Sequence, residues 1–209
     1  MRSYGQYCGL AKALDVVGDR WTLLIVRELM IGEGRYTDLL KGLPGIATNL
    51  LATRLEEMEQ AGLVSSHQLP PPAATTVFRL TTRGEELRPV IQALGKWAGP
   101  LMTGRLKSER VRTRWMALPA AFYLQDRMPG ERAIAIQING SDESIVIESR
   151  DGTVQARAGQ AADPDVTLTG SPDLALGILM GRVTAATAKR RGLKIEGDAR
   201  VLNRLRRPA

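Results

Sequence analysis

The sequence predicts an α+β protein in two parts. The N-terminal half is helical and closes with a pair of strands and a further helix, and a smaller C-terminal domain mixes a sheet with helices. Three observations predict it. Apolar residues recur at helical spacing up to Ala61, two short strand-like runs flank Pro70-Pro71-Pro72, and beyond about residue 110 alternating runs are separated by turn dipeptides. The division falls into residues 1–110 and 111–209.

Residues 8–17, CGLAKALDVV, form a short helix that stops at Gly18. Asp19 is an N-cap for a second helix beginning at Arg20, in which Trp21, Leu24, Ile25, Leu29 and Met30 keep helical spacing. Trp21 is assigned to the core, and Gly32-Glu33-Gly34 ends the helix. Residues 37–41 make a brief helix halted by Gly42 and Pro44. Thr48 is the N-cap candidate of the next helix, which runs to about Ala61 and stops at Gly62. Residues 63–68 and 75–80 read as strands, and Thr81 or Thr82 caps a helix reaching about Leu101. Helix, helix, short helix, helix, strand, turn, strand, helix is the order of a winged helix-turn-helix.

In the second part, residues 115–124 are a helix candidate. Residues 133–138, 144–149, 154–158 and 165–169 are strands, with Asn139-Gly140 and Asp151-Gly152 as turns. Ser171-Pro172-Asp173 opens a helix through Met180, with proline in its first turn. Residues 184–190, 193–196 and 198–205 read as helix, strand and helix.

The composition of the 209 residues, 44% hydrophobic and 24% charged, is that of an ordinary globular protein. The net charge of +7 favours polyanionic partners. That charge concentrates in a basic joint at 101–116 and in the stretch 182–209, which includes Arg182, Lys189, Arg190, Arg191 and Lys194. A solvated basic surface and contact with DNA flanks are the two readings of this stretch. One cysteine, Cys8, excludes an internal disulfide and a Cys-cluster metal site. One histidine, His67, leaves little room for zinc or for histidine-dependent catalysis. No Gly-rich phosphate loop or catalytic constellation is found, so no enzyme activity, cofactor or metal is expected. Asp163-Pro164-Asp165 brings two carboxylates together in a turn. Without a signal-peptide core or a membrane-length apolar run, the expected location is cytoplasmic, with no membrane partner.

The helix over 48–61 carries the most information. Placed at about 100° per residue, Leu51, Leu55 and Met58 share one face, while Thr48, Asn49, Ala52, Thr53 and Glu56 occupy the other. An amphipathic surface helix has this pattern, and so does a recognition helix, whose N-terminal polar residues reach base edges in the major groove. Its place between a short helix and a hairpin favours recognition. Asn49 is then a candidate for adenine, Thr48 and Thr53 for a base edge or phosphate, and Arg54, nearer the buried side, for an internal salt bridge or a phosphate. Arg35 and Tyr36 are phosphate candidates. His67, Gln68, Thr75 and Thr76 lie on the hairpin, as contacts to the DNA backbone or minor groove, or as a solvated turn.

These residues resemble the HxlR-type regulators, a branch of the MarR-like winged-helix superfamily. The resemblance rests on Cys8, on residues 16–25 (VVGDRWTLLI), on 35–39 (RYTDL) and on 43–51 (LPGIATNLL). Arg54-Leu55, Glu59, Gly62-Leu63-Val64 and Leu80-Thr81 extend it. It implies a homodimer on a pseudo-palindromic operator in double-stranded DNA, built from the N-terminal and post-wing helices, with repression as the commonest mode. Ala47 departs from the family, which often has Ser there, and so offers neither a cap nor a phosphate ligand. Some members sense oxidants or electrophiles through a cysteine near Cys8; an ordinary free thiol is the other reading. The C-terminal part resembles the sterol-carrier-protein-like fold through the strands of 132–169, the Ser171-Pro172 helix start and residues 192–198 (GLKIEGD). That implies an apolar cavity and a small apolar effector, against a purely structural or dimerising domain. The alternative function is a small-molecule carrier whose winged helix mediates protein contacts.

Overall fold

The computed structural model describes residues 3–102 and 109–206. It divides into two compact units, Met1–Gly104 and Arg105–Ala209. Part of the predicted basic joint, Arg105 and Lys107 among it, lies outside the described residues. Among the described residues no helix is long and apolar enough to cross a membrane.

The first unit runs α1 (Gly9–Val17), α2 (Thr22–Ile31), β1 (Gly34–Arg35), α3 (Tyr36–Gly42), α4 (Thr48–Gln60), β2 (Val64–Gln68), β3 (Thr76–Leu80), α5 (Thr82–Glu85) and α6 (Arg88–Trp97), with a 3-10 turn at Gly99–Met102. This is a winged helix-turn-helix. Its small sheet has the order β1-β3-β2, all antiparallel. Strand β1 leaves no mark in the sequence because two residues are too few to show alternation. Its pairing of Gly34 with Phe78 and Arg35 with Val77 depends on a strand over forty residues away. The core gathers Ile25, Val26 and Leu29 of α2, Leu39 of α3, Leu51, Leu55 and Met58 of α4, and Val64 and Val77 of the hairpin, all buried.

Four local expectations need correction. Asp19 does not cap α2. Trp21 takes a left-handed conformation (φ 85°) and the helix begins only at Thr22, so the Asp19 side chain turns instead to Arg54. Trp21 itself is only half-buried, and Leu24, counted with the apolar positions, is 41% exposed. Thr48 is the first residue of α4 rather than its cap; the cap position is Ala47, which has no side-chain acceptor to offer. The helix after the wing is broken into α5 and α6. Pro89 has no N–H to donate to Glu85 and its ring crowds that carbonyl, so a new helix starts with proline in its first turn. Thr81 does cap α5, accepting the Gly84 amide at 3.1 Å, and its hydroxyl donates to the Gly62 carbonyl at 2.5 Å. The predicted stop of α4 is a left-handed glycine closure. Gly62 has φ 69°, its amide donates to Glu59 and the Leu63 amide to Met58, both at 2.9 Å.

The second unit opens with a 3-10 turn (Thr113–Met116) and α7 (Ala117–Tyr123), followed by β4 (Gln125–Asp126), β5 (Ile134–Asn139), β6 (Ser144–Arg150), β7 (Thr153–Ala158) and β8 (Val166–Thr169). Then come α8 (Pro172–Leu179), α9 (Ala185–Arg190), β9 (Lys194–Gly197), a 3-10 turn (Ala199–Asn203) and β10 (Leu205–Arg206). The main sheet has the order β7-β6-β5-β8-β9, with β5 and β8 parallel and the rest antiparallel. The register sets Ile134, Ile136 and Ile138 beside Ile147, Ile145, Val166 and Leu168 on one face, all buried. Helix α7 packs against β6 and β7, and α8 against β5. The helix expected over 198–205 is a single 3-10 turn, capped by Asp198, that leads into β10. Pairing of β10 with β4 ends it early, a constraint from residues eighty positions earlier.

That pairing surrounds a buried ion pair. Arg204 grips Asp126 through Nε (2.8 Å) and Nη2 (2.7 Å), while Nη1 donates to the Arg132 carbonyl at 2.6 Å. Ser149 and the Met128 amide also donate to Asp126. Asp165, from the predicted carboxylate turn, accepts the Ala135 amide (2.8 Å) and Arg132 (2.6 Å), a structural role. The Arg204 hydrogen bonds hold the Asp126 carboxyl down at about 2, against an ordinary 3.8. Its contribution to stability is therefore complete above pH about 4 and fades as pH falls towards 2. Asp126→Asn leaves Arg204 buried without its counter-ion and is expected to cost about 3–5 kcal/mol at neutral pH. Urea unfolding of the two proteins checks this, and the difference between them should shrink below pH 4.

Candidate nucleic-acid interface

The α3–α4 hook is fixed at three points. The Tyr36 hydroxyl donates to the Thr48 carbonyl at 2.5 Å, tying the start of α3 to the first turn of α4. The Arg35 amide donates to Asp38 at 3.3 Å, capping α3. Between the helices, Arg27 donates to the Gly42 carbonyl at 3.2 Å and pairs with the fully buried Glu28 at 2.7 Å. A side chain at Gly42 would collide with the Glu28 carboxylate, so glycine is required where α3 ends.

With Leu51, Leu55 and Met58 buried, the opposite face of α4 is exposed at Thr48, Asn49, Ala52, Thr53 and Glu56. Asn49 Oδ1 accepts the Leu50 amide at 2.9 Å, and Thr53 Oγ1 donates back to the Asn49 carbonyl at 3.0 Å. Among the described residues the Asn49 side-chain NH2 donates to no partner. Arg54 is held by Asp19 at 2.5 Å and by Glu57 one turn along, with its side chain 16% exposed. Its position is that of an internal salt bridge, spanning the α1–α2 corner and α4.

The wing is the β2–β3 hairpin, and the chain between its strands is closed by the Leu69 amide on the Thr75 carbonyl at 2.9 Å. Gln68 pairs with Thr76 across it, backbone to backbone and by a 3.3 Å side-chain bond. His67 is half-buried, 3.7 Å from Glu33, and so faces the end of α2. Of the wing candidates, Gln68 is exposed and Thr75 and Thr76 are half-exposed; Arg35 is exposed beside α3. The structure thus brings Arg35, Tyr36, Thr48, Asn49 and Thr53 onto the hook and sets Gln68, Thr75 and Thr76 on the wing. Arg54 and His67 already have protein carboxylates beside them.

Two further cations stand out only in the structure. Arg79 is exposed on β3, its Nε 3.4 Å from Ser65 Oγ; its outward place in the strand alternation is the one signal the sequence holds. Arg20, in sequence a residue of the helix junction, stacks on Trp21, 5.3 Å from the ring centroid. Only adjacency of the two residues hints at this.

Among the described residues no group of three or more His, Cys, Asp or Glu is placed to hold a metal ion. In the second unit a partly open groove of about 460 Å³ lies between the end of α8, the start of α9 and the 3-10 turn at Ala199–Asn203. Ile178, Val183 and Leu202 line it together with Arg182, Arg200 and Asn203. Its lining is part apolar and part polar.

Cys8 is exposed and sits at the N-cap of α1. The backbone amides of Ala11 and Leu10 favour its thiolate and lower the thiol below its ordinary value. Alkylation by iodoacetamide, followed against pH, should therefore reach half-maximal rate at lower pH in the folded protein than in urea. Equal midpoints would show that the helix start does not activate the thiol.

Residues 16–104 match the HxlR-like helix-turn-helix family, and residues 125–209 match the SCP-2 sterol transfer family. An uncharacterized HTH-type transcriptional regulator of Synechocystis is 34% identical over 92 residues, which is 44% of this chain and 68% of the relative. In Bacillus subtilis, the uncharacterized HTH-type regulator YvaP is 33% identical over 42% of this chain and 81% of its own length. The HTH-type transcriptional regulator YodB of the same organism is 34% identical over 43% and 80%. With the hook, the wing and these relatives in agreement, the chain belongs to the HxlR-like helix-turn-helix family of transcriptional regulators.

Proposed function

We propose that the protein is a homodimeric repressor in the cytoplasm that lays one α4 helix from each subunit into the major groove of a pseudo-palindromic operator. The observation that carries this reading is the outward face of α4: small, hydrogen-bonding side chains at Thr48, Asn49 and Thr53, clustered in its first two turns. A helix that only met solvent has no need of such a face, whereas a helix in the major groove reads with its N-terminal residues. Asn49 reads adenine, Thr48 and Thr53 meet base edges or phosphates, and Arg35, Tyr36, Gln68, Thr75 and Thr76 steady the DNA backbone.

Dimerisation is supported by apolar surface that the single chain leaves uncovered. Leu10 and Leu14 are exposed along α1, with Tyr7 just ahead of it, and Val90, Leu94 and Trp97 along α6, with Leu101 just beyond. Helix α6 buries none of its residues. Two stripes of this kind on a small domain are costly in water and are relieved by a second copy.

The C-terminal groove receives the effector, a small molecule with an apolar body. A ligand that favours one dimer geometry changes the spacing of the two α4 helices and hence DNA affinity. Oxidation or alkylation of Cys8, beside the α1 stripe, is a second input.

Titration of the protein against genomic fragments at two salt concentrations tests the reading. Sequence-selective, salt-dependent binding is expected, and Thr48→Ala/Asn49→Ala should abolish the selectivity, each base contact being worth about 1–3 kcal/mol. Binding no tighter than to random DNA favours a small-molecule carrier instead. In sedimentation, Leu94→Glu/Trp97→Glu should run as a monomer with unchanged far-UV dichroism; a persistent dimer would place the interface elsewhere.

A further inference from the structure

The α1–α2 corner holds a residue pair that the reading of α4 leaves unused. Trp21 has φ 85°, a conformation that a bulky residue keeps only where its surroundings impose it. Its indole edge lies near Gly45, 3.8 Å from where a Cβ at that position would stand. Gly45 itself is three residues ahead of α4. On the other side of Arg20, Asp19 reaches Arg54 on α4. Residues 19–21 therefore lie beside the α3–α4 turn through Trp21 and are tied to the middle of α4 through Asp19.

Between Asp19 and Trp21, Arg20 is exposed, and among the described residues its one partner is the Trp21 ring. A guanidinium stacked on an aromatic face keeps its charge and its in-plane N–H donors while losing much of its freedom to rotate. Arg54, by contrast, is occupied by two carboxylates. Arg20 is the guanidinium at this corner with donors left for a ligand, and its planar fork matches a phosphate.

We infer that Arg20, held by its stack on Trp21, clamps a DNA backbone phosphate beside the N-terminus of α4. The inference rests on the reading of α4 as the DNA-contacting helix. A phosphate contact sets register and adds affinity without adding sequence information. Its signature is therefore in the salt dependence rather than in the discrimination between sequences.

The experiment measures binding by fluorescence anisotropy across a salt series, for a random-sequence duplex and for a duplex that the wild-type protein enriches from a random pool. Arg20→Gln should flatten the slope of log affinity against log salt by about 0.9 for each phosphate no longer neutralised, or about 1.8 for two subunits. The affinity ratio between the two duplexes should stay as in wild type. Arg20→Lys, which keeps the charge, should restore most of the slope. A wild-type slope in Arg20→Gln overturns the inference, and so does disappearance of discrimination with the slope retained, which marks a base contact. Wild-type protein that shows no salt-dependent binding to either duplex overturns the DNA reading itself, and this inference with it.

Discussion

The burial of one side of α4 is the constraint on which the DNA-binding unit depends. Leu51, Leu55 and Met58 are each at most 2% exposed, and each such side chain contributes about 1.5–3 kcal/mol when removed from water. A helix whose rotation is set this way has no choice about its other side. Thr48, Asn49 and Thr53 face outward because their neighbours at helical spacing face inward. This outward face is a by-product of packing, and the hydrogen bonds of Asn49 and Thr53 stay within the helix. The flanks follow from the same rotation. Arg54, at the edge of the buried side, meets Asp19, and Tyr36 closes on the Thr48 carbonyl.

The C-terminal unit solves a different problem. Its sheet has one apolar face, and its last strand must return to a short strand at its start. Backbone pairing over two residues is weak. The Asp126–Arg204 pair, with each partner also bonded to backbone or to Ser149, makes this return specific. Removing either partner leaves a buried charge, so the pair acts more as a condition on the correct fold than as a net source of stability. Gln137 plays a similar part on the other side of the sheet. Its side chain donates to the Ile145 carbonyl and accepts the Ala161 amide, fixing the turn after β7.

Exposed apolar surface is distributed unevenly between these tasks. The outward face of α4 is polar, while α1 and α6 carry leucine, valine and tryptophan in the open. Polar groups suit a wet, charged DNA groove, and apolar stripes suit a dry protein contact. The face proposed for nucleic acid and the stripes proposed for a second subunit are thus chemically distinct.

Much of the molecule is legible in the sequence because the signals are local. Helical spacing locates α2 and α4, Gly62 marks a left-handed stop, and Asp151-Gly152 marks a turn in which both residues have positive φ. The α+β class, the hook and wing order and the outward set on α4 follow from these periodicities. Tertiary structure decides what depends on distant partners. The strand at Gly34–Arg35 exists only beside β3, and the chain end becomes a 3-10 turn and a strand because β4 is there to pair with. Asp19 is drawn from a cap to Arg54, and Trp21 is held in a left-handed conformation under Arg20. Periodicity along a chain reports which face of an element is buried. It carries no record of which residue, tens of positions away, will supply a charge or a strand edge, because those energies exist only once both partners have been brought together.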